Sequence, residues 1–357
     1  MSRLLRRLVA GIGLLVAVLG VAVLFWLNSA GAFVHVTPHF SGSCEGLALP
    51  GSAADIRIDR ANSTAYLSVL DRSALRAGRD ATGTVLRVDL KTHPLAALPA
   101  LASVPPGFRP GGMSLFTAPD GTQRLFVLSD PPQAPHTVEI FARESAAGPF
   151  AFAETLHNPL LFSPDSIVAV GPREFYVTND TGARSAWERF TEVAFGRALS
   201  TVVYYDGEVM RVVDEAVALG AGIAASADGG RIYVGQAGGR SVRVYSRDSA
   251  NGDLALIEDV DVYSSPDHLD VAEDGGIWAA AHPNLLALLK HLHDPGRRTA
   301  TQVLRIAPDP LAERRLGEVY LNSGDEISAG SVAAATDDSF VLGARLDARI
   351  LLCHPGR

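Results

Sequence analysis

Between Leu8 and Leu27 the chain runs for twenty residues without a charge. As a helix that stretch is about 30 Å long, enough to cross a hydrocarbon core. Beyond it the pattern changes to short alternating runs rich in Val, Ile, Tyr and Phe. They are TAYLSVL (64–70), RLFVLS (124–129), EFYVTN (174–179), RIYVGQ (231–236), GIWAAA (276–281) and SFVLGA (339–344). Alternation with period two predicts half-buried strands. A turn precedes each run, and before each turn stands another apolar run: DIRIDRANS, SLFTAPDGT, SIVAVGPR, GIAASADGG, HLDVAEDGG and SVAAATDDS. The turns from Asn62 to Asp337 recur at a mean interval of 55 residues. Six divergent hairpin-based units made only of strands predict an all-β, six-bladed propeller, because a lone four-stranded blade cannot bury its own faces.

Two segments carry helical periodicity instead. In SAWERFTEVAFGRAL (185–199), Trp187, Phe190 and Ala194 share a face, which predicts an amphipathic helix packed over the ring; contact with a membrane surface is the alternative. In NLLALLKHLH (284–293), five leucines in ten residues predict a cover for a channel mouth.

Arg3, Arg6 and Arg7 precede the apolar stretch, which orients it with the N-terminus in the cytoplasm and the rest of the chain on the periplasmic or extracellular side. The expected organisation is a cytoplasmic tail (1–7), a transmembrane anchor or uncleaved signal (8–28), a linker (29–40) and the propeller (41–357). The small-residue stretch at Ala30–Ala32 leaves a cleaved signal as the alternative. With 31 basic against 39 acidic residues the net charge is −8, which argues against nucleic acid as a partner. Cys44 and Cys353 are the chain's two cysteines, and an oxidising compartment would let them pair, closing the ring. Two separate buried thiols are the alternative.

In a propeller the innermost strands line a central channel. The same point of each repeat supplies Ala54-Asp55, Gly111-Gly112, Asp165-Ser166, Ala221-Gly222, Asp267-His268 and Gly330-Ser331. Three carboxylates and an imidazole then converge, a donor set for a hard cation such as Ca²⁺ or, through His268, a transition metal such as Zn²⁺. GAGIAA (220–225) mimics a dinucleotide fingerprint, but a strand follows where a helix is required. GSCEG (42–46) mimics a nucleophile elbow, yet pairing of Cys44 would remove the nucleophile.

The segments HFSGSC, FRPGGMSLF, SIVAVGPREFYVTND, STVVYYDGEVMRVV, AAHPN and the terminal LLC resemble the paraoxonase/arylesterase family in order and spacing, from about residue 40 onward. The resemblance implies a six-bladed propeller, a Cys44–Cys353 bond, a retained apolar N-terminus, two calcium ions in the channel, and hydrolysis of lactones and aryl esters. The family holds its catalytic calcium with a Glu, three Asn and an Asp. The matching positions here are Ala54, Asp165, Ala221, Asp267 and His268. Its structural calcium uses two aspartates, matched by Asp55 and Ser166, and its histidine pair falls on Gly111 and Asp130. His282, in AHPN, is retained. The expectation is therefore a hydrolase of small esters or lactones with metal ligands Asp55, Asp165, Asp267 and His268, and Asp130 or His282 as base. A propeller that binds ligands without turnover is the alternative.

Overall fold

The computed structural model describes residues 3–145 and 148–356. It opens with α1 (Arg3–Ser29), of which Val9–Asn28 is long and apolar enough to cross a membrane. Next come β1 (Gly42–Ala48) and six four-stranded sheets. The first sheet is β2 (Ser52–Asp59), β3 (Thr64–Leu70), β4 (Thr84–Asp89) and β5 (Ala97–Pro99), with a one-turn α2 (Arg72–Arg76) between β3 and β4. The second is β6 (Pro110–Thr117), β7 (Gln123–Ser129), β8 (Thr137–Arg143) and β9 (Ala151–His157). The third is β10 (Pro164–Ala169), β11 (Phe175–Asn179), β12 (Ser200–Tyr205) and β13 (Met210–Val217), with α3 (Ala186–Phe195) after β11. The fourth is β14 (Gly220–Ala225), β15 (Arg231–Gln236), β16 (Ser241–Arg247) and β17 (Leu254–Asp261). The fifth is β18 (Ser265–Val271), β19 (Ile277–His282), β20 (Thr301–Ile306) and β21 (Leu316–Asn322), with α4 (Leu285–His293) after β19. The sixth is β22 (Gly330–Ala335), β23 (Phe340–Ala344), β24 (Arg349–Pro355) and, at its edge, β1.

This is the six-bladed propeller that the repeat predicts. The ring closes because β1 pairs antiparallel with β24, Cys44 opposite Cys353, and a disulfide joins the two. Apolar clusters fill each of the six seams between neighbouring blades. The seams also explain a departure from the sequence pattern: β3, β7, β11 and β15 are buried along nearly their whole length, not on alternate residues. A strand covered by blades on both faces gains from apolar side chains on both.

Three helices interrupt blades one, three and five, each after the second strand, so they rise at the end of the ring where the inner strands begin. The leucines of α4 cover the channel mouth as expected. The N-terminal segment docks beside them: the Leu285 amide donates to the Ala30 carbonyl at 3.0 Å, and a Cβ at Gly31 would stand 1.9 Å from the Pro283 oxygen. α3 departs from expectation. Trp187 and Phe190 stack on each other but remain exposed, whereas Thr191 and Glu192 face inward. The inward Glu192 carboxylate accepts from the Thr181 hydroxyl and the Gly182 amide, and this polar anchor turns the aromatic face outward.

Candidate functional site

The channel mouth is built by a defect repeated six times. In β2, β6, β10, β14, β18 and β22 the pairing register breaks at Ala53/Ile56, Pro110/Met113, Pro164/Ser166, Gly220/Ile223, Pro266/Leu269 and Gly330/Val332. A bulge frees a residue from the ladder and re-aims its side chain. The skipped positions include Ala54, Asp55, Asp165, Ala221, Asp267 and His268, the positions singled out in the sequence. Two glycines let adjacent bulges nest. A Cβ at Gly112 would meet the Asp165 carbonyl oxygen at 2.4 Å, and one at Gly222 the Asp267 carbonyl oxygen at the same 2.4 Å. Each glycine thus seats the aspartate of the next blade.

The deeper part of the cluster centres on Asp55, which is fully buried. Its carboxylate accepts from the Ile56 amide at 2.8 Å, the Met113 amide at 2.6 Å and Arg57 Nη2 at 3.1 Å. Arg57 then donates from Nε to the Met113 carbonyl at 2.6 Å and from Nη1 to the Leu269 carbonyl at 2.8 Å. One guanidinium therefore lies between a carboxylate and two main-chain carbonyls of blades two and five, the donor set a hard cation would use. Sequence reasoning missed it. The signal was present, since Arg57 is two residues from Asp55 on one strand and so shares its face.

Nearer the mouth, Asp165, Asp267 and His268 bring three ligand atoms within 4.8 Å of one another. Asp267 Oδ2 lies 3.3 Å from His282 Nε2, and Asp267 Oδ1 lies 3.8 Å from His268 Nε2. His268 Nδ1 faces Asp55 Oδ2 at 3.7 Å, joining the two halves of the cluster. Asp267 Oδ1, His268 Nδ1 and His282 Nδ1 are buried without hydrogen-bond partners. Arg345, in the turn after β23, is the second cation that sequence reasoning missed, and no periodicity marks it. Its Nη2 lies 2.9 Å from Asp165 Oδ1 and 3.9 Å from Asp267 Oδ1.

These neighbours push the two carboxyls apart. Burial works to raise Asp267, but the His282 hydrogen bond and the charges of Arg345 and His268 outweigh it and hold the group at about 2. Burial raises Asp165, and the Arg345 charge only partly offsets it. The Asp165 and Asp267 charges in turn raise the Arg345 guanidinium against the burial that would lower it.

Asp267, His282, Asp165 and Arg345 form one wall of a cavity of about 140 Å³ whose other walls include Leu285, Leu288, Leu289 and Leu292 of α4. The remaining sequence candidate, Asp130, stands elsewhere: its side chain is largely exposed and lies 3.4 Å from His136 Nδ1. The structure thus brings Asp55, Asp165, Asp267, His268 and His282 together and leaves Asp130 at the rim.

A family profile described as Arylesterase matches residues 63–354. Human serum paraoxonase/arylesterase 1 is 31% identical over 237 residues, 66% of each chain. Human serum paraoxonase/arylesterase 2 is 31% identical over 283 residues, 77% of each chain. A solved luciferin-regenerating enzyme shares the fold at a TM-score of 0.53 and 10% identity, over 88% of this chain and 97% of its own. The profile spans nearly the whole ring, including five of the six inner strands and leaving out β2, and with these relatives it establishes that the chain belongs to the paraoxonase/arylesterase family.

Proposed function

We propose that the chain hydrolyses small aryl esters or lactones at the channel mouth, tethered to a membrane by α1 with the propeller on the periplasmic or extracellular side. The observation that carries this reading is the Asp267–His282 pair, 3.3 Å apart, on the wall of a cavity that also takes in Leu285, Leu288, Leu289 and Leu292 of α4. Asp267 holds the His282 imidazole through Nε2 at this wall, and the carboxylate–imidazole pair is the base that takes a proton from the attacking water. Arg345 places a permanent positive charge at the same wall, where negative charge develops on an attacked carbonyl oxygen. The α4 leucines exclude bulk water, which strengthens both interactions.

The family resemblance implies two calcium ions, and the residues present fit one. The deep position does not accommodate a cation, because the Arg57 guanidinium already occupies the donors around Asp55. The mouth position fits: Asp165, Asp267 and His268 would hold the ion, and the unpartnered Asp267 Oδ1 marks a donor still open there. A divalent ion bound there would polarise the ester carbonyl as a Lewis acid.

The test is hydrolysis of phenyl acetate and a γ-lactone by the purified full chain in detergent, before and after chelation, with metal content measured on the same samples. Turnover that falls in Asp267→Ala supports the reading. Absence of turnover, together with no bound metal and an Asp267→Ala variant that behaves as wild type, leaves the non-catalytic propeller.

A further inference from the structure

Arg345 and Asp165 also form one wall of a second cavity, about 380 Å³, on the side of the mouth away from α3. The two cavities share Leu292, Asp165 and Arg345, so they are two arms of one opening. The second arm differs in character. Arg72, Arg76, Arg109, Arg345 and His136 line it against two carboxylates, Asp130 and Asp165. Arg345 is paired with Asp165, Asp130 lies against His136, and Arg109 is paired with the exposed Asp80 at 2.8 Å. Among the described residues Arg72 and Arg76 meet no carboxylate. Arg72 donates from Nη1 to the Ser52 carbonyl at 3.3 Å and hydroxyl at 3.1 Å, and from Nη2 to the Pro110 carbonyl at 2.8 Å. Arg76 donates to the His293 carbonyl at 2.7 Å. Two guanidinium charges without counter-ions therefore project into one recess of a chain whose net charge is −8.

We propose that this basic arm binds an oxyanion, a carboxylate or phosphate group, carried by the same molecule whose ester or lactone bond is cleaved over Asp267 and His282. The inference rests on the hydrolase reading for the identity of that molecule, but the anion site itself does not. Three features support it. Neutral carbonyl partners hold the Arg72 fork in place without neutralising it, and a partly buried cation gains from a counter-charge. Burial and the like charge of Arg345 outweigh the charge of Asp165 and push Arg72 down to about 9, so a further anion beside it would be favoured. Guanidinium forks match the planar or tetrahedral oxygens of carboxylate and phosphate, and the recess has the size for a small molecule. The leucine arm would then take the apolar part of the ester, and the reacting carbonyl would sit between the arms beside Arg345.

Two measurements on the full chain in detergent test this. Inorganic phosphate is titrated calorimetrically at constant ionic strength, with chloride as the reference anion. Saturable phosphate binding is expected, weakened about tenfold or more in Arg72→Gln and in the more exposed Arg76→Gln, each a lost charge-assisted hydrogen bond. Arg314→Gln, exposed and outside the recess, keeps wild-type binding. In parallel, kcat/KM is compared for an aryl ester bearing a free carboxylate and for its methyl ester. Wild type prefers the charged substrate, and Arg72→Gln loses that preference. No phosphate binding, or binding indifferent to both substitutions, overturns the anion site. Arginine-dependent phosphate binding with neither ester cleaved keeps the site and overturns the hydrolase reading.

Discussion

If Arg57 is the resident cation of the deep channel, Arg57→Met should destabilise the ring by a calculable amount. The substitution keeps an unbranched apolar side chain and removes the charge from beside a fully buried Asp55. Stripping one partner from a buried ion pair costs about 3–5 kcal/mol. Asp55 retains two amide donors, from Ile56 and Met113, which keep its oxygens hydrogen-bonded. That places the expected loss at the lower end, about 3 kcal/mol, or about 6 °C in thermal midpoint for a domain of this size. The assay is urea unfolding of the full chain in detergent, followed by tryptophan fluorescence, in calcium and in chelator. Asp55→Leu/Arg57→Met, which removes both charges, should recover most of the loss, because an apolar replacement leaves no orphaned ion. Two results would refute the reasoning. One is an Arg57→Met variant within about 0.5 kcal/mol of wild type, the range of an ordinary surface change. The other is a chelator effect on wild type as large as that of the substitution, which would mean that a metal ion performs the task assigned to the guanidinium.

Asp267→Asn and His282→Gln should each lower kcat/KM for aryl-ester hydrolysis by roughly a hundred- to ten-thousandfold, the range for loss of general-base action, with the fold intact by circular dichroism. Asp267 is held at about 2, below its unfolded value. It should therefore add stability above pH ~4, an increment of the order of 2 kcal/mol that fades as pH falls toward 2. Thermal midpoints between pH 5 and pH 2 should fall less steeply in Asp267→Asn than in wild type. Reduction of Cys44–Cys353, or Cys44→Ser/Cys353→Ser, opens a covalent loop spanning 309 residues, and urea midpoints should report a loss of about 3–5 kcal/mol.

The ring was legible because its signal is local and repeated. Each hairpin carries its own alternation and turn, and six copies at one spacing leave few architectures that can bury them. The carboxylates were legible for the same reason: a bulge at a fixed point of each repeat puts Asp165 and Asp267 at equivalent positions and Asp55 at the next position of its own bulge, so alignment of the repeats finds them. What escaped is whatever the repeat does not specify. Arg345 enters from a turn, and its partner Asp165 lies 180 residues away in sequence. Trp187 and Phe190 share a helix face with period 3.6, but which face turns inward was decided by Glu192 and its partners on a neighbouring loop.

Arg57 marks the boundary between these cases. Its spacing from Asp55 was readable, yet gathered carboxylates suggested an external ion, because acidic clusters need positive charge and no lysine lay near. The structure supplies that charge from within the chain, twice, as arginines that reach the cluster from a strand and from a turn. Which group supplies positive charge beside the carboxylates thus depends on side-chain direction, which the sequence pattern does not specify. A guanidinium fixed by two carbonyls cannot exchange with solvent as an ion can. The deep half of this channel is therefore expected to hold its geometry across calcium concentrations, leaving only the Asp165–Asp267–His268 half open to regulation by a metal.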